Sequence, residues 1–271
     1  MLQAADVTFG YGETPVLRGV SLEVPDSGFV GILGPNGSGK TTLLRILAGT
    51  RVPSAGLVRL DGTDLARIPR TRLARRMAVV PQETHLAFDY TVLEMVLMGR
   101  YPHLGAFELE GPSDLQHARQ ALEATGTAAF EDRLFSTLSG GEKQRVIIAS
   151  ALAQLGTTHA DTQPVLLLDE PTAALDLEYQ LEVASLLREL QRRRPLSIVI
   201  STHDLNFAAS LCRSLVLLKE GAVLASGATA DVLTPDLIRR LYGVEADVHL
   251  HVSAGHLVVV PIRRAGEDRV R

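Results

Sequence analysis

The stretch of sequence that decides the fold is Gly34-Pro35-Asn36-Gly37-Ser38-Gly39-Lys40-Thr41. It fits the phosphate-loop pattern of Gly, four residues, Gly, Lys and then Ser or Thr. The apolar run Phe29–Leu33 before it predicts a buried strand, and the residues after Thr42 have the apolar spacing of a helix. Backbone N–H groups in a glycine turn between strand and helix bind phosphate together with the helix dipole. An accidental glycine turn is the alternative, and the flanking strand and helix argue against it.

Two side chains of this loop have distinct predicted roles. The Lys40 ammonium would reach the terminal phosphates of a nucleotide, and the Thr41 hydroxyl would hold magnesium. The sequence therefore predicts a nucleotide-binding protein of the α/β class.

The composition limits the class of protein further. The chain has 271 residues, of which 46% are hydrophobic, enough for one large domain or for one domain with an inserted lobe. Its formal net charge of −4 argues against bulk binding of nucleic acid, which depends on basic excess. Cys212 is the only cysteine, so the chain forms no internal disulfide and no cysteine zinc site.

No stretch of the sequence predicts membrane insertion. The segment Met1–Asp6 lacks a basic region followed by an apolar core, so we expect no signal peptide. No apolar run approaches the roughly 20 residues that span a bilayer. If the protein serves a membrane process, we expect it to act from the cytoplasmic face.

Apolar and polar residues alternate between Leu2 and Val24, which predicts short antiparallel strands leading into the phosphate loop. Tyr11 lies in this lead-in, beside Gly12. Its ring could pack on the sheet as an ordinary strand aromatic, or it could stack on the adenine of a nucleotide. The residues alone leave both interpretations open.

A mostly helical pattern runs from Thr84 to Gln154 and interrupts the alternation of strands and helices, which predicts an inserted helical lobe. Within it, Ser113 is expected to cap a helix over 114–124. At its end, Ser139 and two glycines stand before another helical pattern. This helix N-terminus predicts a second anion-receptive turn, with an ordinary capped helix as the alternative.

Two acidic residues follow a buried strand. Val165-Leu166-Leu167-Leu168 is a continuous apolar run, typical of a strand covered on both faces in a parallel sheet, and Asp169 and Glu170 come directly after it. Open α/β sheets bind their ligands at this end of the strands. Asp169 could hold magnesium through water and Glu170 could polarise an attacking water. A turn or a helix cap is the alternative.

The last third of the chain predicts structural features and one histidine cluster. The triplet Arg192-Arg193-Arg194 falls in the last predicted turn of a helix, where we assign it a structural role at the negative end of the dipole. A hairpin is predicted over 247–262. His249, His251 and His256 belong to this hairpin, where they could form a metal site or serve other roles.

Read together, these motifs resemble the ATP-binding subunit of an ATP-binding-cassette (ABC) transporter over almost the whole chain. Gly34–Thr41 is similar to the Walker A loop of that family, Val165–Glu170 to its Walker B strand, and Leu138–Glu142 to its signature motif. Single positions agree in order and spacing as well: Gln82 with the Q-loop, Ala174-Leu175-Asp176 with the D-loop, His203 with the switch histidine, and Tyr11 with the adenine-stacking aromatic.

The resemblance implies an α/β fold with a P-loop NTPase core and a mixed or parallel sheet. It also implies an N-terminal antiparallel β subdomain and an inserted helical subdomain. The ATP-binding domain would cover residues 1–243, with the helical lobe at 84–155. A C-terminal β-hairpin extension would cover 244–271.

The resemblance further implies that two cassettes face head to tail, with each ATP between the Walker A loop of one and the signature motif of the other. Glu170 would orient or deprotonate the attacking water, His203 would hydrogen-bond the γ-phosphate, and Gln82 would take part in catalysis. Mg²⁺ would be held by Thr41, Gln82 and Asp169. The implied ATP contacts within one chain are Tyr11, Gly34, Pro35, Asn36, Gly37, Ser38, Gly39, Lys40, Thr41 and Thr42, and those offered to the partner's ATP are Ser139, Gly140, Gly141, Glu142 and Asp176.

Further stretches look like those of a particular kind of transporter. Residues 91–103 and 233–244 are similar to importers of iron-siderophore, haem or cobalamin, and the polar segment 156–163 is similar to haem importers. The implied activity is ATP hydrolysis coupled to uptake, at the cytoplasmic face of the cell membrane. The implied partners are a second copy of the chain, permease subunits and, indirectly, an extracytoplasmic substrate-binding protein, with no nucleic acid. A soluble cassette ATPase acting on nucleic acid or the ribosome is the alternative.

The segment from Gln82 to about His103 is predicted to dock the permease. Its apolar residues, such as Val92 and Val96, have helical spacing and could instead belong to the core of the lobe. Tyr101 and His103 lie beyond that stripe in a proline-containing loop, so both are expected to be exposed contacts.

Overall fold

The computed structural model describes residues 1–84, 86–156, 163–173 and 175–266. Most of the polar segment that the resemblance singled out (157–162), together with Ala174 of the D-loop stretch, lies outside the described residues. The strands of the described chain are β1 (Leu2–Tyr11), β2 (Thr14–Val24), β3 (Phe29–Leu33), β4 (Ala55–Leu60), β5 (Thr63–Asp64), β6 (Met77–Val80), β7 (Val165–Asp169), β8 (Ser197–Thr202), β9 (Ser214–Lys219), β10 (Ala222–Ala228), β11 (Val244–His251) and β12 (His256–Arg264).

Helices connect most of these strands. Within the described residues, no helix is both long enough and apolar enough to cross a membrane. The α-helices are α1 (Lys40–Leu47), α2 (Arg70–Ala74), α3 (Val92–Leu97), α4 (Pro112–Ala124), α5 (Gly140–Leu155), α6 (Leu177–Arg193), α7 (Leu205–Leu211), α8 (Thr229–Val232) and α9 (Pro235–Tyr242), and short 3₁₀ helices cover Leu65–Arg67, Met98–His103, Ala128–Phe130 and Phe135–Thr137.

The strands form an antiparallel sheet in the order β2-β1-β4-β5, a larger sheet in the order β10-β9-β3-β8-β7-β6, and the hairpin β11-β12. In the larger sheet β3 pairs in parallel with β9, and β6 with β7, whereas β9 and β10 are antiparallel. The sheet is therefore mixed. The predicted α/β fold with an antiparallel N-terminal sheet is confirmed, and so is the predicted C-terminal hairpin.

The chain divides into two compact units, Met1–Asp64 with Val199–Arg271, and Leu65–Ile198. In the first unit all five residues of β3 are buried, as are the four central residues of β9. Their continuous apolar sequence suits strands that are covered on both faces. The phosphate loop therefore starts from a strand that is fixed by packing on each side.

In the second unit α3, α4 and α5 follow β6 and pack against one another before the chain enters β7. Arg100 is buried among them, and its guanidinium bonds to Asp114 Oδ1 (3.0 Å) and to the Ala153 carbonyl (2.7 Å). Next to it, an added Cβ on Gly99 would lie 2.2 Å from the Ser150 carbonyl oxygen. Only glycine allows this close approach to α5.

The predicted cap of α4 is wrong. The helix begins at Pro112 and its N-cap is Gly111, so Ser113 lies inside the first turn. The Gly111 N–H donates to Asp114 Oδ2 (3.1 Å). Proline at the first helical position and an acid at the third provide the start signal of this helix, and the serine does not.

The segment around Tyr101 also differs from the prediction, because Met98–His103 is a 3₁₀ helix and not a loop. Tyr101 is 57% exposed, as expected. His103 is half-buried, and its Nε2 bonds to the Gln154 carbonyl oxygen (2.7 Å), so the prediction of an exposed contact is wrong. Burial lowers the pKa of His103. This histidine joins the 3₁₀ helix to the end of α5.

The arginine triplet splits into two parts at the end of α6. Arg192 and Arg193 lie in the last turn, and both pair with Glu189. Arg194 follows the helix with an extended backbone and donates from Nη1 to the Gly156 carbonyl oxygen (3.3 Å). The predicted role at the helix end therefore applies to the first two arginines and not to the third.

Candidate nucleotide-binding site

The phosphate loop joins β3 to α1 in the first unit. An added Cβ on Gly34 would lie 2.2 Å from the Leu218 carbonyl oxygen, and Gly37 and Gly39 have φ values of 80° and 103°. Side chains are strained in such conformations, so the loop needs its glycines. Gly39 is the N-cap of α1, which has neither a side-chain cap nor an acid in its first turn. The first N–H groups of this helix can therefore face an anion.

Two polar side chains of the loop fit a phosphate ligand. Lys40 is 5% exposed, and its ammonium donates to the carbonyl oxygens of Gly34 (2.9 Å) and Pro35 (3.3 Å), which hold it over the loop. The Ser38 hydroxyl is buried and has no hydrogen-bond partner within the described part of the chain. Buried polar groups are nearly always satisfied in folded proteins, and a phosphate oxygen would satisfy this one.

Tyr11 stands beside the helix that follows the loop. Its ring is 45% exposed and packs edge-on against Phe9, with ring centroids 5.0 Å apart. A side-chain hydrogen bond with Thr42 is the main cause that lowers the pKa of Tyr11. The hydroxyl is thus tied to α1 while part of the ring remains open, which suits the predicted stacking on adenine.

His203 follows the last residue of β8, the neighbour of β3 in the sheet, and is exposed. The next residue, Asp204, caps α7 by accepting from the N–H groups of Asn206 and Phe207 (both 2.9 Å). The Tyr242 hydroxyl donates to the His203 carbonyl oxygen (3.4 Å). The backbone around the histidine is therefore fixed on both sides, and its predicted contact with the γ-phosphate stays a prediction.

In the second unit Gln82, Asp169 and Glu170 leave the same edge of the sheet, because β6 and β7 are parallel neighbours with Val80 opposite Leu168. Asp169 is the last residue of β7 and is 7% exposed, whereas Gln82 is exposed. Carboxylate and amide oxygens at such an edge are ligands that Mg²⁺ accepts.

Glu170 has a special backbone conformation. Its φ is +46°, which is uncommon for a residue other than glycine, and its carbonyl oxygen accepts from the Ala173 N–H (3.0 Å). Conformations of this kind persist where the surroundings impose them, and they are frequent at functional sites. No sequence pattern shows this feature.

The second predicted anion site is the start of α5. Ser139 is the N-cap, and it forms a capping box in which Ser139 Oγ accepts from Glu142 N (3.3 Å) and Glu142 Oε2 accepts from Ser139 N (2.7 Å). The backbone hydrogen bond from Ser139 lowers the pKa of Glu142. The ordinary capped helix that was the alternative is therefore present. The Ser139 hydroxyl also donates to the Glu142 carboxylate, so a contact with a phosphate oxygen would have to replace that hydrogen bond.

Gly141 of this turn has a packing role that the sequence pattern does not show. An added Cβ on Gly141 would lie 2.2 Å from the ring of Tyr179 on α6. Asp176 is the N-cap residue of the same helix, it is exposed, and its side chain makes no cap hydrogen bond. The predicted contacts of Glu142 and Asp176 with a partner's ATP stay predictions.

The histidines of the C-terminal hairpin give no metal centre. His251 and His256 are paired across the strands, but the described residues contain no group of three or more His, Cys, Asp or Glu arranged to hold a metal ion. Their rings are engaged locally instead. The Ala254 N–H donates to His251 Nδ1 (3.2 Å), and His256 Nδ1 bonds to the Leu257 carbonyl (2.8 Å).

Comparison with protein families decides the assignment. The family described as "ABC transporter" matches residues 17–173, a span that contains the phosphate loop, the start of α5, Asp169 at the end of β7 and Glu170 after it. The chain belongs to the ABC transporter family. Members of this family are ATP-binding cassettes, so the protein is an ABC ATPase that binds ATP.

This ABC ATPase is similar over nearly its whole length to named import proteins. It is 44% identical over 261 residues to the hemin import ATP-binding protein HmuV of Bordetella pertussis, which covers 96% of this chain and 98% of that protein. It is 38% identical over 263 residues to the ferric enterobactin transport ATP-binding protein FepC of Escherichia coli K12, which covers 97% of this chain and 94% of that protein.

A solved ABC structure supports the fold. The chain matches the dimeric structure of MJ0796, a bacterial ABC transporter cassette, with a TM-score of 0.71 and 30% sequence identity. The match covers 84% of this chain and 99% of the solved one. The expected P-loop NTPase fold of the ABC type is confirmed.

Proposed function

We propose that this ABC ATPase is the motor subunit of a haem importer. In the proposal it works as a homodimer on transmembrane permease subunits, at the cytoplasmic face of the membrane, and an extracytoplasmic substrate-binding protein delivers the haem. The similarity to a hemin import protein at 44% identity supports this cargo above a ferric siderophore or cobalamin. The 38% identity to the enterobactin protein and the 39% identity to a cobalamin import protein keep a ferric siderophore and cobalamin as alternative cargoes.

The observation that carries the motor role is the presence of two phosphate-receptive helix N-termini in one chain. The first, at α1, has a complete phosphate loop. The second, at α5, has Ser139 as its N-cap and Gly140 and Gly141 in its first turn. A second such terminus has a function if it contacts the ATP that is bound to another copy of the chain. The similarity to a dimeric cassette supports that arrangement.

The proposed chemistry assigns a role to each polar residue. Thr41, Gln82 and Asp169 would supply hydroxyl, amide and carboxylate oxygens to Mg²⁺, which prefers hard oxygen ligands. The bound ion would neutralise charge on the phosphates. Glu170 orients the attacking water or takes its proton. His203 hydrogen-bonds the γ-phosphate, and ATP binding and hydrolysis then close and open the dimer.

Delivery of haem should raise the ATPase activity of the assembled transporter. We expect several-fold stimulation when the haem-loaded substrate-binding protein is added to liposomes that contain the chain and its permease, because cargo delivery favours the closed dimer. Ferric enterobactin and cobalamin, each presented in the same way, are the controls. Stimulation by either of these in place of haem would assign the importer to that cargo and reject the haem proposal.

We place the permease contact on the exposed apolar side chains of the segment 88–109, which contains the 3₁₀ helix Met98–His103. Tyr101 is 57% exposed, Phe88 71%, Phe107 106% and Leu109 83%, and all four belong to the second unit. Large apolar side chains gathered on one surface segment are typical of protein interaction sites. His103 is excluded from this surface, because its ring is bonded to α5.

A charge at Tyr101 should uncouple the subunit without disabling it. Tyr101→Glu places a carboxylate in the proposed interface, so we expect cargo-stimulated ATPase activity of the assembled transporter to fall by about tenfold. The basal ATPase activity of the free subunit should be unchanged, because the side chain is exposed and remote in sequence from every predicted ATP contact.

The matched control for this substitution is Val52→Glu, since Val52 is 70% exposed and belongs to the first unit. It should leave both activities unchanged. If the Tyr101 variant is stimulated as strongly as the control, the docking surface lies elsewhere.

A further inference from the structure

A cavity of about 260 Å³ lies in the second unit, among the C-terminal parts of α4, α5 and α6. Its apolar walls include Ala121, Ala124, Leu152 and Leu190, and the side chain of Arg194 also lines it. We call it the Arg194 cavity. Nothing in the ATPase cycle described above uses it.

The guanidinium of Arg194 is only partly satisfied. Nη1 donates to the Gly156 carbonyl oxygen (3.3 Å), whereas Nε and Nη2 are buried and have no hydrogen-bond partner among the described residues. These two nitrogens form one edge of the planar group and carry parallel N–H bonds. That edge matches the two oxygens of a carboxylate.

No described residue that lines the cavity compensates the charge of this group. The titratable residues among the described lining are His117, Arg193 and Arg194, and none of them is acidic. Arg193 is exposed and its Nε already bonds to Glu189 (2.7 Å). Burial lowers the pKa of Arg194, but a guanidinium remains charged at neutral pH. A buried charge without a partner is costly, and an anion in the cavity would remove that cost.

We propose that the Arg194 cavity binds a small amphiphilic carboxylate. The carboxylate would accept hydrogen bonds from Nε and Nη2 of Arg194, and the apolar part of the ligand would lie against Ala121, Ala124 and Leu152. The free nitrogens are shielded in the ligand-free chain, so binding includes rotation about the side-chain bonds of Arg194, which a long flexible stem permits. The cavity is smaller than the roughly 300–1,000 Å³ of sites for drug-sized ligands, so the ligand is a small one.

Octanoate is a suitable probe, because it joins one carboxylate to a short apolar chain. Titrated into the full chain without nucleotide, it should bind saturably by calorimetry and raise the melting temperature. Two control ligands separate the two parts of octanoate. Octanol has the same apolar chain without the carboxylate, and acetate has the carboxylate without the long apolar chain. Both should bind at least about tenfold more weakly than octanoate.

Two substitutions test the two halves of the site separately. Arg194→Met should weaken octanoate binding by about tenfold or more, while the ligand-free melting temperature stays equal or rises because an unpaired buried charge is removed. Ala124→Leu should fill the cavity and weaken octanoate as well, although Arg194 is intact. Arg193→Met is the matched control and should bind octanoate as the unchanged chain does.

Several outcomes would overturn the proposal. If octanoate and octanol bound with equal affinity, the guanidinium would make no contact with the carboxylate. Octanoate binding of full affinity by the Arg194→Met chain would show the same. Asp161 lies in the segment 157–162, outside the described residues. If octanoate binds only after Asp161→Asn, the partner of Arg194 belongs to the chain itself and not to a ligand. These measurements need neither ATP nor a permease, so they are independent of the proposed importer function.

Discussion

Glu170→Gln is expected to lower the ATP turnover of the free subunit by about 10²-fold or more while ATP binding is retained. The amide has the shape of the carboxylate but cannot accept the proton of an attacking water. Glu170 directly follows β7, at the edge of the sheet where open α/β sheets bind their ligands, and its φ is +46°. The phosphate loop is unchanged in this variant, so affinity for ATP should stay close to that of the unchanged chain.

Turnover is measured as phosphate release at saturating ATP and Mg²⁺, and binding by calorimetry under the same conditions. Glu178→Gln makes the same chemical change at an exposed acid in the first turn of α6 and serves as the control. It should hydrolyse ATP normally. Near-normal turnover by the Glu170 variant would remove this residue from the catalytic step and leave the attacking water to another group.

A mixture of Lys40→Ala chains and Ser139→Arg chains should recover activity that neither variant has alone. Lys40→Ala removes the ammonium that the loop carbonyls hold in place. Ser139→Arg replaces the N-cap of α5 with a long side chain that blocks the helix end. If each ATP lies between the loop of one copy and the α5 N-terminus of the other, a mixed dimer has one site without either defect and one site with both.

The expected recovery is at most roughly a quarter of the unchanged activity, because random pairing makes half of the dimers mixed and each of these has one intact site of two. The recovery is measured as the ATPase rate of the mixture and as ATP-dependent dimer formation in size-exclusion chromatography. Ser113→Arg, an exposed serine-to-arginine change on α4, is the control and should be active alone. Normal hydrolysis by the Ser139 variant by itself would mean that each chain contains a complete site.

The phosphate loop, the buried strands and the C-terminal hairpin could be predicted from the sequence because each depends on residues that are close together in the chain. Gly37 and Gly39 take φ values that favour glycine, and Lys40 and Thr41 follow them at fixed spacing. The continuous apolar runs of β3 and β7 likewise indicate strands that are covered on both faces. Local pattern and global fold agree at these positions, as they do in foldable sequences.

The tertiary structure decided the features that depend on residues far apart in the chain. His103 was expected to be exposed, but its bond to Gln154 places it against α5. Arg194 was expected to serve the end of its own helix, but it reaches Gly156 and leaves one edge of its guanidinium without a partner among the described residues. A single sequence records the type of each side chain. It does not record which distant backbone group a long polar side chain reaches, because burial and packing of the whole unit determine that choice.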